Sequence, residues 1–235
     1  MLKTYKWLTI TYCIMSLNKS YSTVDSKDVL LDLKLDSIIN KNNGFFIELG
    51  ANDGLTQSNT ARLEFLKNWT GILIEPSFEK YIQCIKNRPN SITLNFACVD
   101  NEYTDEFILG DFNGNLMSSV EGKRLQDNNL IKVKVTTLEK ILDIYKDNNL
   151  EIDLLSLDTE GYELNILKGL NLKKYRPKFM LIEIYNFDYE NILKYLNDNQ
   201  YKLHSNFSNY NIIDNPAWDG THNDFLFVRS DIQLH

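Results

Sequence analysis

From residue 44 onward, short and almost continuously apolar runs alternate with segments whose apolar residues recur every three or four positions. The runs at 45–49, 70–74, 92–97, 152–157 and 178–184 are the length of single strands and predict one strand each, with 45–49 read as buried. Helical periodicity fills the intervals at 59–67, 78–87, 136–146, 164–167 and 189–197. Thr136-Thr-Leu-Glu139 has the spacing of a capping box at the head of the third of these. Alternation of this kind is the pattern of βαβ units and a parallel sheet. Two final runs, 201–207 and 224–228, predict a closing antiparallel pair. The stretch 102–135 is less regular, and Asn113-Gly114 between 107–109 and 116–120 predicts a hairpin excursion. The result is a doubly wound α/β sheet, in which ligands bind beyond the carboxyl ends of the strands near the switch point.

Composition narrows this picture. A chain of 235 residues with 43% hydrophobic content suits one domain with a real core. A net charge of −7 argues against a nucleic-acid partner, since Lys123-Arg124 and Lys173-Lys174 are isolated pairs. Cys13, Cys84 and Cys98 show no metal-ligand spacing with one another or with histidine, which disfavours zinc and favours reduced, buried thiols. Residues 1–40 read as an N-terminal extension and 41–235 as the domain. In the extension, Lys3 and Lys6 precede a run at 7–17 with signal-peptide proportions, too short for a spanning helix and diluted by Thr9, Thr11, Tyr12 and Ser16. A cytoplasmic location is the expectation, with the secretory pathway or membrane association as the alternative.

Three segments at predicted strand ends carry chemistry. In Glu48-Leu-Gly50-Ala-Asn52-Asp53-Gly54, Gly50 permits a tight turn and Gly54 a close backbone approach to a ligand. Asn52 stands where a dinucleotide fingerprint needs its second glycine, and no Lys-Ser/Thr pair makes a phosphate loop. Glu75, closing Gly71-Ile-Leu-Ile-Glu75-Pro76, is placed to accept hydrogen bonds from ribose hydroxyls. Asp158-Thr-Glu160-Gly161-Tyr-Glu163 puts paired carboxylates over the crevice, able to orient an ammonium, hold a divalent metal or take a proton. Glu183 and His222 converge on the same edge. A helix start alone accounts for Glu163, because acids favour the first turn.

With these residues assembled, the chain resembles the FkbM family of methyltransferases through FFIELGANDGLTQSNT, WTGILIEP, NRPNSITLNFACVD and IDLLSLDTEGYELNILKG. The resemblance implies a class I, Rossmann-like methyltransferase fold: a mostly parallel seven-stranded sheet with an antiparallel last strand and helices on both faces. It also implies S-adenosylmethionine as cofactor and O-methylation of a hydroxyl on a sugar, glycan or small natural product. Carried over residue by residue, Glu48, Gly50, Asn52, Asp53 and Gly54 would line the methionine end, with Ser58 nearby. Glu75 would hold the ribose, and Ala97 and Cys98 would lie by the adenine. Asp158 and Glu160 match the family's Asp-x-Glu-Gly signature at the reacting centre, Asp158 also touching the cofactor. The residues themselves make Asp158 the first candidate base, with Glu160 and His222 behind it, and ligation of Mg²⁺ by Asp158 and Glu160 the alternative role. A nicotinamide-dependent oxidoreductase is disfavoured by Asn52 and by the lack of a Tyr-x-x-x-Lys arrangement near the crevice. A catalytically silent, membrane-associated module of the same fold is the remaining alternative, and the intact Glu48, Glu75 and Asp158 speak against it. Residues 102–135 and the loop 208–221, with Tyr210, Trp218 and Asp219, are expected to shape the acceptor pocket.

Overall fold

A computed structural model describes residues 19–22, 30–113, 117–121, 129–147, 149–216 and 218–234. Cys13, the apolar run at 7–17, the Lys123-Arg124 pair and Gly114 of the expected turn lie outside them. Strands β1 (Phe45–Leu49), β2 (Thr70–Ile74) and β3 (Ile92–Leu94) pair in parallel on one side of the switch point. On the other side, β1 pairs with β7 (Leu154–Leu157), and β7 with β8 (Phe179–Tyr185). β10 (His222–Arg229), antiparallel to β8, and β9 (Tyr201–Asn206), antiparallel to β10, complete a seven-stranded sheet of order β3-β2-β1-β7-β8-β10-β9. This is the predicted class I architecture, with β10 alone running against the other six strands.

Both faces are covered, which is why the central strands read as unbroken apolar runs. Side chains alternate between faces along a strand. Phe45, Ile47 and Leu49 pack with α4 (Leu138–Tyr145), α5 (Glu163–Lys168) and α6 (Tyr189–Asp198). Phe46 faces the opposite layer, formed by α1 (Leu31–Ile39), α2 (Ala61–Lys67) and α3 (Phe78–Asn87). Helix α1 falls inside the stretch read as an extension, yet Leu31 and Leu35 are core residues beside Phe46 and Trp69.

Three local expectations change. The run at 92–97 divides: β3 stays in the main sheet, while β4 (Ala97–Val99) turns away to pair in parallel with β6 (Ile131–Thr137). The hairpin partner of β5 (Phe107–Gly110) is β6, and residue 120 makes only an isolated bridge to Gly110. The cap of α4 is Thr137, whose Oγ1 accepts from the Lys140 N–H at 3.3 Å, one residue later than the capping-box spacing implied. Cys84 and Cys98 are both buried free thiols. Among the described residues, no helix is long and apolar enough to cross a membrane.

Candidate active site

The chain leaves β1 and β7 in diverging directions, opening a crevice at their carboxyl ends. Gly50 begins the first loop at φ +76°, and a Cβ there would stand 1.8 Å from the Asp158 carbonyl oxygen. No side chain fits, so glycine is what allows the two loops to meet. Asn52 follows at φ +48° and donates its N–H to Glu75 Oε2 at 2.7 Å. The other Glu75 oxygen accepts from the Ser77 N–H at 2.7 Å. Burial pushes the Glu75 carboxyl up to about 7, against the opposing pull of those two N–H donors and of Lys80.

Glu48 does not line this crevice. It shares the face of Phe46, and its carboxylate accepts from Ser58 Oγ, the Asn59 N–H at 2.9 Å and Thr60 Oγ1 at 2.7 Å. Arg88, wholly buried, sits 3.7 Å from Glu48, pairs with Glu64 at 2.7 Å and donates to the Gly54 carbonyl at 2.8 Å. Ser58 belongs to this network, and Gly54 packs on Arg88 and Cys84 where a Cβ would meet Arg88 Cγ at 2.7 Å. The Asp53 carboxylate is turned onto its own loop, accepting from Leu55, Thr56 and the Thr56 hydroxyl. These four residues hold the loop from behind, where contact with the ligand was expected.

A cleft of about 830 Å³, open to solvent, is lined by Gly50, Asn52, Glu75, Ala97, Cys98 and Asp158 among the residues the sequence singled out. Phe96, Phe112, Tyr162, Lys80 and Thr56 line it as well and carried no sequence signal of their own. The thiol of Cys98 is pushed up to about 12 by burial, so it lines the cleft as a neutral, apolar group.

Beyond β7, residues 158–161 form a tight loop. Glu163 Oε1 accepts from the Thr159 N–H at 2.8 Å, the Thr159 hydroxyl at 2.9 Å and the Gly161 N–H at 3.3 Å. Glu160 is held between them at φ +57°, a left-handed conformation costly for a residue with a Cβ. Its Oε2 accepts from the Tyr185 hydroxyl at 2.5 Å. Asp158, Glu160 and Glu183 on β8 offer oxygen atoms all within 4.8 Å of one another. Burial, then repulsion from Glu160, Asp224 and Glu163, holds Asp158 well above the ordinary carboxylate range. Burial and Asp158 do the same to Glu183. His222 opens β10 with Nε2 3.4 Å from Glu183 Oε1 and Nδ1 2.9 Å from the Thr221 hydroxyl.

A second cleft, of about 1010 Å³, is lined by Gly161, Tyr185, Asn186, Phe187 and Thr221 and shares Val120, Glu160 and Tyr162 with the first. The Tyr185 ring lies 5.7 Å from Phe187 and 5.1 Å from His222. Of the segments expected to shape an acceptor pocket, 102–135 contributes Phe112, Ser118 and Val120, and 208–221 contributes Thr221. Tyr210, Trp218 and Asp219 line neither cleft; the Trp218 indole donates to the His222 carbonyl at 2.9 Å, and Asp219 stands 3.6 Å from the His222 ring.

Comparison with known proteins gives a match to the model of the methyltransferase FkbM domain over residues 48–203. A search of curated proteins finds no match. Among solved structures, the fibrillarin pre-rRNA processing protein of Methanococcus jannaschii is 15% identical, with 82% of this chain and 69% of that one covered and a TM-score of 0.48. TrmK of M. capricolum, solved with S-adenosylhomocysteine, is 11% identical over 83% and 67% of the two chains, at 0.46. The precorrin-6y C5,15-methyltransferase of Geobacter metallireducens is 9% identical over 89% and 94%, at 0.47. Likenesses this distant carry no argument about the reaction.

Proposed function

Since the chain belongs to the FkbM methyltransferase family, we propose that it methylates a hydroxyl oxygen on a sugar, glycan or other small natural product. The observation that carries this reading is the junction of the two clefts. One has the apolar walls and carboxylate that a nucleoside needs, the other has aromatic walls, and they meet at Glu160 and Tyr162.

The first cleft fits S-adenosylmethionine on its own terms. Each Glu75 oxygen accepts a single backbone N–H, which leaves lone pairs for the ribose hydroxyls. The Asn52 side-chain Nδ2 is buried without a partner in the same wall. Ile74, Phe96, Ala97 and Ile166 supply a flat apolar slot for adenine, and Asp158 faces the end where the amino-acid moiety would lie. When bound, the cofactor supplies a methyl group on a positively charged sulfur, already reactive toward oxygen.

The protein's part is therefore alignment and proton removal. Tyr185 and Phe187 can stack one face of a sugar ring, while Asn186 and Thr221 offer polar groups at its edge. Fixing an acceptor oxygen in line with the methyl carbon turns an encounter in solution into a reaction within one complex, worth effective molarities of roughly 10⁵ M or more in favourable cases. Asp158 is the first candidate to take the hydroxyl proton, because it lines the cofactor cleft beside Glu160 at this junction, and burial with its neighbouring carboxylates raises its affinity for protons. Glu160 and His222 stand behind it at the same junction. An aromatic box without basic residues among its described lining suits a neutral acceptor.

Calorimetry with S-adenosylhomocysteine and with NAD, followed by mass spectrometry of a hydroxylated acceptor panel, tests the reading. Binding of S-adenosylhomocysteine with methylation of a sugar hydroxyl is the expected result. Binding of neither cofactor would point to a catalytically silent module and end this proposal.

A further inference from the structure

Glu183 belongs to β8, an interior strand of the sheet between β7 and β10. It is 9% exposed, and its Oε2 is buried with no hydrogen-bond donor. Its other oxygen has the His222 imidazole 3.4 Å away. Among the described residues, no Lys or Arg side chain pairs with Asp158 or Glu183. Yet both face Glu160 at oxygen separations within 4.8 Å, and Asp224 lies opposite Glu183 in the β8–β10 register. Carboxylates brought this close cannot all ionise unless positive charge sits between them. A single shared proton can bridge one pair of oxygens. A divalent cation can bridge all three at once.

We propose that Asp158, Glu160 and Glu183 bind a hard divalent cation, Mg²⁺ or Mn²⁺, at the junction of the two clefts. The donor set is all oxygen, which suits these ions, and the one nearby thiol, Cys98, is held protonated by burial and is a poor ligand for a softer metal. Such ions commonly take few protein carboxylates and complete their shell with water and substrate oxygens. The Glu160 carboxylate is preset for the role by two independent restraints, the Glu163 clamp on its loop and the Tyr185 hydroxyl on its Oε2. Asp158 and Glu160 also line the first cleft and Glu160 the second, so the open coordination positions face the place where an acceptor would lie. Cation binding itself needs no acceptor; only the use of the ion to hold an acceptor hydroxyl rests on the methyl-transfer reading.

The test is titration of Mn²⁺ into the full chain, followed by calorimetry and by electron paramagnetic resonance, with and without S-adenosylhomocysteine. One tightly held ion per chain is expected, with affinity falling roughly tenfold or more in D158N and in E183Q. Circular dichroism melting checks that each variant is folded, and E160Q, altered on an accessible loop, serves if either of the others is not. Glu79→Gln, on α3 at the surface, should bind the ion like the wild type. Absence of Mn²⁺ binding by the wild-type chain, or binding unchanged in the folded variants, overturns the site. A chain that binds S-adenosylhomocysteine but no Mn²⁺ loses only the cation; one that binds Mn²⁺ through these carboxylates but no S-adenosylhomocysteine loses the methyl-transfer reading instead.

Discussion

Glu48 and Glu75 sit near the ends of neighbouring parallel strands, and the difference between them is that Glu48 lies within its strand while Glu75 lies just past the end of its own. Glu48 is an even-numbered member of β1, so it points with Phe46 toward α2 and α3 and is consumed by Ser58, Asn59 and Thr60. Glu75 follows the last residue of β2 and turns into the cleft. Its pKa of about 7 lies above the ordinary 4.5, so the folded chain holds the proton more tightly than the unfolded one. The stabilisation from this proton is complete below pH 4.5 and is lost as pH rises through about 7, a change of roughly 3 kcal/mol. Glu75→Gln should flatten that part of the stability–pH curve in denaturant titrations. Ribose hydroxyls are better held by the ionised form, so affinity for S-adenosylhomocysteine should rise through pH 7 in the wild type and stay level in Glu75→Gln. A wild-type affinity that falls or stays constant over that range would remove Glu75 from the ribose site. At Gly50, alanine puts a Cβ against the Asp158 carbonyl in a left-handed conformation. Gly50→Ala should cost at least ~2 kcal/mol in chemical denaturation and abolish cofactor binding.

The elements themselves were readable wherever burial imposed a simple period. The five parallel runs and the helices between them were legible because a strand covered on both faces leaves little room for polar residues. Residues 131–137 were not, since Ile-Lys-Val-Lys-Val-Thr-Thr belongs to a small three-stranded sheet whose outer positions face solvent, and Thr136 drew attention as a helix cap. The site residues divide in the same way. Glycines and carboxylates at strand ends announce themselves in a single sequence. Arg88 and Tyr185 do not, because their roles arise only when α3 and β8 are brought against distant loops. The cap of α4 is a direct check at this scale. Thr137→Ala removes the acceptor for Lys140 N–H and should cost about 1 kcal/mol, whereas Thr136→Ala should cost little by the same mechanism. Equal losses from the two substitutions would mean that the cap contributes nothing particular.

Taken whole, the fold separates holding the cofactor from selecting the acceptor. The first cleft is built from loops after β1, β2 and β7, the second from the ends of β8 and β10, and only Val120, Glu160 and Tyr162 belong to both. A ligand confined to the first should stabilise the entire chain, because its walls come from strands on both sides of the switch point. At a hundredfold excess over its dissociation constant, S-adenosylhomocysteine should add about 2.7 kcal/mol, which for a chain of this size raises the melting temperature by roughly 5–10 °C. NAD should not. Phe187 is 71% exposed and lines only the second cleft, so Phe187→Ala should leave that thermal shift intact while raising the acceptor KM several-fold. The two measurements together test the division. If the substitution erased the shift, the clefts would be one site energetically, and the acceptor would be recognised through the cofactor's own walls.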